Sequence, residues 1–425
     1  MSRSEKRRRL VLALLFLAYL LSFLDRQIIT ILMEQLRVEF SLSDAQLGLL
    51  VGLAFASFHA LFGLPLAYIA DRGWSRRVIT VSLALFSVAT ALSGFAAGFV
   101  QLLLARFVVA AGEAGANPAS QALIYRYFPP AVRSRAFAWY AFAIPVGTVC
   151  GLLLGGFINE ALGWRMAMIT AGVPGVLVAV VLYFTLEPDA VPTREPMKPA
   201  REAERMLSDM RALISRSGFV LATLGAAVHL FVFNSVAQWI PSLFIRQYGI
   251  GTADAAKSLA IAIGAMGVVG VLGSGWVSDK LGSANRRVSF LIAIASCLCC
   301  IPFGYVLLSG ELSQRESVVA ACFYFSIACM FLVPTYVLVQ EFAGERYRSV
   351  AVALFGLTIT LIGYGAGPYI AGALSTSLSP GASAESLRQS LLYLLPCHLL
   401  GGALYACGVR SKEQPAAAIS VPVKS

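Results

Sequence analysis

Four charged residues, Asp25, Arg26, Arg106 and Glu113, sit in stretches otherwise apolar enough to be membrane-buried helix. Arg106 and Glu113 belong to RFVVAAGEAGANPASQ (106–121), inside an apolar run from Phe99 towards Tyr125. Seven residues make about two helical turns, so this pair shares a face, ~10 Å apart along the axis. Neither can face lipid, because a charge at mid-bilayer costs at least ~2.5–3.5 kcal/mol. Both must face an interior that supplies partners or water. Such charges mark proton relays and substrate paths; the alternative is that they only lock helix packing. Gly112, Ala114, Gly115 and Ala116 strip bulk from the same helix and let neighbouring backbones approach.

Depth suggests the pairing. The helix of Asp25 and Arg26 runs opposite to that of Arg106 and Glu113. Arg106 lies seven residues into its helix, ~10 Å deep. Asp25 and Arg26 lie at a similar depth below Leu32. Asp25 with Arg106 is the economical pair, since an unpaired buried charge is costly. Arg26, ~100° further round, is left to meet Glu113 or an anionic group of a substrate. Glu113 is the expected proton carrier, with Asp25 and Arg106 as its coupling partners. Burial favours the neutral form of a carboxylic acid and a nearby arginine favours the ionised form. An arginine contact that breaks and reforms would therefore take and release one proton per cycle. His59 and His229 compete for this role, but histidines among Ala and Phe, His398 included, read as hydrogen-bonded packing residues.

The elements that position these residues follow from composition. Hydrophobic residues make up 58% of the 425-residue chain and charged residues 13%, with mean hydropathy +0.77. That balance indicates an all-α polytopic membrane protein. Scanning for apolar runs of about 20 residues gives spans 1–6 at 10–32, 47–70, 78–97, 99–125, 133–159 and 164–185. Spans 7–12 fall at 218–245, 256–277, 287–308, 317–340, 349–376 and 387–409. The expected organisation is a six-helix bundle over 1–185, a cytoplasmic linker with an amphipathic helix over 186–217, a second bundle over 218–410, and a disordered tail over 411–425. The linker opens Pro-rich and then repeats Met206, Leu207, Met210, Leu213 and Ile214 at helical spacing. The basic start and apolar run imitate a signal peptide, but the run is too long and carries Asp25-Arg26, so it reads as span 1.

A net charge of +11 would suggest nucleic acid in a soluble protein. Here Lys and Arg gather at the termini and in every second loop. The opposite loops hold only Arg37, Arg165, Arg246, Lys257, Arg315 and Arg388 of the 33. The positive-inside rule then puts both termini and the central loop in the cytoplasm of an inner or plasma membrane. All eight cysteines lie in apolar segments and read as small buried hydrophobes. The sequence offers no metal spacing, phosphate-binding loop or nucleophile–base pair, so neither enzyme nor cofactor is expected. The expected partners are a small substrate, protons and lipid, with the chain acting as a monomer.

The halves repeat each other. AYIADRGWSRR (67–77) follows span 2 and GWVSDKLGSANRR (275–287) follows span 8. PPAVRSRAFA after span 4 is matched by AGERYRSVAV after span 10. Two homologous six-helix halves with a site at their interface is a transporter architecture. Asp71, Arg72, Arg76, Arg77, Arg133 and Arg135 in one half, with Asp279, Lys280, Arg346 and Arg348 in the other, are candidates for a latch across the halves.

The doubled G-x-x-x-D-[RK] loop in a chain of twelve spans resembles the major facilitator superfamily, although Ala67 replaces glycine in the first copy. Within it, YLLSFLDRQIITI (19–31), RFVVAAGEAGANPA (106–119), GWRMAMITAGVPGVLVAV (163–180), QWIPSLFIRQYGI (238–250) and LIGYGAGPYIAGALS (361–375) are similar to the Spinster-like group. That resemblance implies alternating access and, by analogy with animal members, a sphingolipid or lysolipid cargo. Organic-anion symporters of the same superfamily share Asp-Arg in span 1 and Glu-Ala-Gly in span 4. An organic-anion symporter, a multidrug exporter and a non-transporting receptor are therefore the alternatives. Candidate substrate contacts are Arg26, Glu113, Tyr19 and Asn117 on one wall and Asn234, Gln238, Tyr336 and Tyr364 on the other. A wall charged on one side and weakly polar on the other suits an amphipathic molecule with an anionic or zwitterionic head.

Overall fold

Hydrocarbon offers no water to a backbone N–H or C=O, so a chain this apolar must satisfy its backbone within helices. The computed structural model describes residues 3–189, 199–281 and 286–410, and every regular element among them is helical. Eleven helices are long and apolar enough to cross a membrane. One of them, Asp44–Ser93, has 50 residues. Straight, it would reach ~75 Å, more than twice a ~30 Å hydrocarbon core. It reverses at 70–74, where Gly73 takes φ 95°, the left-handed region that glycine enters without strain. Spans 2 and 3 are therefore separate crossings, and the total is twelve.

The observed helices are span 1 at Arg3–Phe40, span 2 at 44–69, span 3 at Ser75–Ser93, span 4 at Phe99–Tyr127, span 5 at Pro130–Leu162 and span 6 at Trp164–Thr185. Spans 7–12 are Ser217–Tyr248, Thr252–Leu281, Arg286–Leu307, Gln314–Gly344, Val350–Leu378 and Ala384–Val409. Span 7 runs further than its apolar core suggests, and Arg246, expected in a loop, lies within it. Between the halves, a helix at Pro199–Ile214 buries Leu213 beside Phe219 and Phe342 and leaves Leu207 and Ile214 exposed. The Pro-rich stretch from 190 to 198 and the tail at 411–425 lie outside the described residues.

The twelve spans form two six-helix bundles of the fold expected from the repeat. Lipid is as apolar as leucine, so helices associate through close packing of small residues. Gly147 and Gly151 of span 5 sit against Leu20 and Leu24 of span 1. Gly112 of span 4 sits so near Phe86 of span 3 that a Cβ would come within 2.8 Å of its backbone nitrogen. These glycines bring spans 4 and 5 against their neighbours and fix the depth of every charge they carry or face.

The bundles meet at the end away from the termini. There Gly48 and Gly52 of span 2 abut Pro368 and Gly365 of span 11, and Gly156 of span 5 abuts Thr252 and Ala256 of span 8. Asn159 donates to Thr252 across the same seam at 2.9 Å. Towards the termini the same pair of helices diverges: a Cβ on Gly63 of span 2 or Gly356 of span 11 would meet nothing within 4 Å. Tyr336 and Tyr364 are exposed there. The cleft between the bundles thus opens on the side of the termini and is sealed on the other.

This packing separates two glycines of similar sequence setting. Gly112→Leu should lower stability by about 1–3 kcal/mol through overpacking against span 3, whereas Gly63→Leu should leave it unchanged. Apparent melting temperatures of the purified variants, scanned at one rate, check the contrast.

Candidate transport site

Span 1 presents Ser22 and Arg26 four residues apart, hence on one face, with Asp25 beside them. Spans 3 and 4 pack against the same helix. Arg106 reaches Asp25 with Nη1 2.9 Å from Oδ2, and both side chains are 5% exposed. Thr90 of span 3 donates a short hydrogen bond to the other oxygen of Asp25. A carboxylate with both oxygens occupied and a guanidinium opposite is a settled pair. Arg106 keeps its Nε unpartnered, and its guanidinium lies 5.1 Å from the ring centre of Phe55 in span 2.

Arg26 and Glu113 form the second pair, and it differs in kind. Arg26 donates to Glu113 Oε2 from Nε at 2.8 Å, and its Nη2 lies 2.8 Å from the same oxygen in an ion pair. Ser22 donates to the same oxygen at 2.7 Å. The other oxygen of Glu113, Oε1, is buried and has no partner. The Glu113 side chain is wholly buried, whereas that of Arg26 is 24% exposed towards the cleft. Arg26 also lies 4.7 Å from the Phe55 ring centre and 5.1 Å from that of Phe23. One aromatic ring thus lies within cation–π reach of both guanidinium groups.

The remaining expected contacts divide. Tyr19 stacks on Tyr140 at 4.4 Å, and Tyr140 donates to Asn117 at 3.0 Å, so these residues line one wall together. Tyr336 and Tyr364 face them from spans 10 and 11 within electrostatic reach of Tyr19 and Arg26. A cavity of about 380 Å³ continues along span 10, lined by Tyr336, Gln340, Glu341 and Arg348 among others. Asn234 and Gln238 do not join this wall. Asn234 is buried and returns its amide to the Leu230 carbonyl at 3.1 Å. Gln238 is engaged by Thr30 of span 1. His59 stacks on Phe55, and His229 is fully buried with Nε2 on the Ala328 carbonyl at 2.9 Å.

The latch residues serve their own halves in this open state. Arg76 donates to the Tyr183 carbonyl and, through its backbone, to Asp189 at 2.8 Å. Arg77 approaches Asp189 at 3.7 Å. Arg133 caps the carbonyls of Phe128 and Tyr125. Arg72 and Lys280 lie over Tyr68 and Trp276. Arg135, Asp71 and Asp279 are exposed, and among the described residues neither aspartate holds an ion pair. Among the described residues no ion pair links these positions across the halves, which stand apart at Gly63 and Gly356. The side chain of Arg346 lies outside the described residues. Sequence spacing did not single out Ser22, Phe55 or Thr90; only Ser22 carried a signal, its i, i+4 relation to Arg26.

The two pairs generate one prediction. Asp25→Ala leaves Arg106 uncompensated in a dry site and should cost about 3–5 kcal/mol. Reversing the pair, Asp25→Arg with Arg106→Asp, should recover part of it, although Thr90 remains set for an acid at position 25. Melting of the single and double variants measures the recovery.

Comparison with known proteins bears on what such a site does. The Major Facilitator Superfamily model matches residues 15–405. The chain is 29% identical over 384 residues to an MFS-type efflux pump of Mycolicibacterium smegmatis, covering 90% of this chain and 88% of that one. It is 28% identical to Protein spinster homolog 1 of Xenopus laevis, over 94% of this chain and 79% of that one. A bacterial homologue of the human lysosomal transporter Spinster, in an inward-facing, unoccupied conformation, superposes with TM-score 0.83 at 28% identity. That match covers 97% of this chain and 98% of the other. The twelve helices, the charged cleft between two bundles and these matches give one conclusion: the chain belongs to the Major Facilitator Superfamily and is a membrane transporter with Spinster-like relatives.

Proposed function

We propose that this transporter couples proton movement to an amphipathic cargo with an anionic or zwitterionic headgroup and an apolar tail. The observation that carries the reading is the contrast between the two ion pairs. Asp25–Arg106 is buried on both partners, while Arg26 reaches from a buried glutamate into the open cleft. Protonation of Glu113 cancels its hold on Arg26, which then takes the anionic headgroup. Ionisation recaptures Arg26 and expels the headgroup. One switch thus links proton and cargo, and each pKa unit by which cargo shifts the acid is worth ~1.4 kcal/mol of coupling. Tyr19, Tyr336 and Tyr364 offer hydroxyls to the head, and the apolar lining of spans 2, 10 and 11 suits a tail.

In this reading the bundles at 1–185 and 218–410 rock against each other, joined by 186–217. The asymmetry of Lys and Arg supports a cytoplasmic position for both termini, with the cleft then facing inward. The latch residues engage when that side closes, and one chain suffices for a cycle. A second reading, export of an organic anion or a drug, is favoured by the similarity to an MFS-type efflux pump over nine-tenths of the chain. Uptake and efflux in proteoliposomes, with lysolipids, sphingoid bases, organic acids and dyes as cargo, separates the two.

The coupling itself is tested at Glu113. Glu113→Gln mimics the protonated acid, so it should keep cargo affinity within a few-fold and lose the pH dependence of transport. Wild type should lose affinity as pH rises, because ionised Glu113 competes for Arg26. Affinity and transport rate measured against pH in both proteins decide; full proton-driven accumulation by Glu113→Gln would move the proton to His59 or Asp25.

A further inference from the structure

At the sealed end, Arg246 of span 7 is inserted into an acidic clamp built by the other bundle. Its Nε lies 2.7 Å from Glu34 Oε2 at the end of span 1. Its Nη1 and Nη2 meet the two oxygens of Asp44, at the start of span 2, at 2.9 and 2.7 Å. This is the bidentate fork in which a guanidinium binds a carboxylate most strongly. Ser375 of span 11 donates to Asp44 Oδ2 at 2.6 Å. Arg37 holds the other oxygen of Glu34 at 2.7 Å. The Asp44 side chain is fully buried, and those of Arg246 and Glu34 nearly so. No other ion pair between described residues joins the two bundles.

Position and environment give this cluster a role that packing alone does not require. The other contacts across the sealed end include small-residue packing, neutral hydrogen bonds of Thr252 with Asn159 and the Gly156 carbonyl, and a single hydrogen bond from the Ala253 backbone N–H to the Glu160 carboxylate at 3.1 Å. Such contacts weaken gradually as surfaces part. A charge pair in a dry seam behaves otherwise, because its attraction falls several-fold once water raises the local dielectric. A clamp of this kind is either shut and strong or wetted and weak, which is the bistability that a gate needs. It also joins four helices at one point: spans 1 and 2 supply the acids, span 7 the arginine and span 11 the serine. Span 1 carries Arg26 two turns below Glu34, so the helix that bears the switch also bears the clamp.

We infer that Arg246, held by Glu34 and Asp44, is the lock that keeps the side opposite the termini closed. Its withdrawal from the two acids is the step that exposes the central site to that side. The inference rests on alternating access, not on the proton role of Glu113.

The test reads the population of the closed end directly. In a background with the eight native cysteines replaced, Asn159→Cys and Thr252→Cys put thiols where two side chains now meet at 2.9 Å. Oxidative cross-linking of this pair should be near complete with the clamp intact. Arg246→Met and Asp44→Asn should cut the yield several-fold. Glu34→Gln should cut it less, since the Asp44 fork remains, and Arg246→Lys should retain most of it. Equal yields in all four variants would overturn the inference and leave the clamp a folding staple. If Arg246→Met does not elute as a folded species, Glu34→Gln and Arg246→Lys decide: a graded fall supports the lock, an unchanged yield refutes it. The readout needs neither cargo nor proton gradient, so it stands or falls separately from the Glu113 switch.

Discussion

A charge in hydrocarbon must have a partner, and this constraint organises the molecule. Asp25, Arg26, Arg106 and Glu113 can exist in spans 1 and 4 only because those helices lie side by side at matching depth. Matching depth in turn depends on close helix contacts. Gly112 lets span 4 settle on span 3, and Gly147 and Gly151 let span 5 settle on span 1. The small residues are therefore part of the electrostatics. Widening one of these contacts by a methyl group or two would move a guanidinium away from its acid, where the cost is several kcal/mol rather than tenths.

The same constraint divides the charges into fixed and movable ones. Asp25 has both oxygens occupied and no contact with the cleft, so it anchors Arg106 and the junction of spans 1, 3 and 4. Glu113 gathers Ser22 and Arg26 on one oxygen and leaves the other bare. An ionised acid so buried would be left with Ser22 alone if that arginine departed, so release of Arg26 is costly unless Glu113 is protonated first. Phe55 sits beside both guanidinium groups and offers each a π face without directional demands. In the proposed exchange, Phe55 and Phe23 would remain beside Arg26 after it leaves Glu113.

Much of this was legible in the sequence because helices in membranes have a fixed rise and a fixed angular step. Counting residues from the ends of spans 1 and 4 places Asp25 opposite Arg106, and the ~100° step leaves Arg26 for Glu113 or a substrate anion, of which the structure shows Glu113. What stayed hidden depends on how helices rotate and how bundles dock. Asn234 and Gln238 carry the same chemistry as cavity-lining amides. A helix apolar all round has no sequence signature for which face meets the cleft, and both residues turn towards helix neighbours. Arg246 ends an apolar run and counts as a loop charge by hydropathy, while its acids lie some two hundred residues earlier. Nothing local joins them; docking of the halves does. Asp71 and Asp279 belong to a third kind: among the described residues neither holds an ion pair, and the latch proposed for them would form only when the open side closes.

The central claim is that cargo and proton compete through one arginine, and the most direct measurement is the proton count of binding itself. A lysophospholipid is added to purified protein in weakly buffered solution near neutral pH, and the pH change is read beside a calorimetric binding isotherm. If the headgroup takes Arg26 from Glu113, binding must draw about one proton from solution per molecule bound, by linkage. Glu113→Gln must bind the same probe and take up none. Binding without proton uptake by the wild type, or undiminished uptake by Glu113→Gln, would contradict the account.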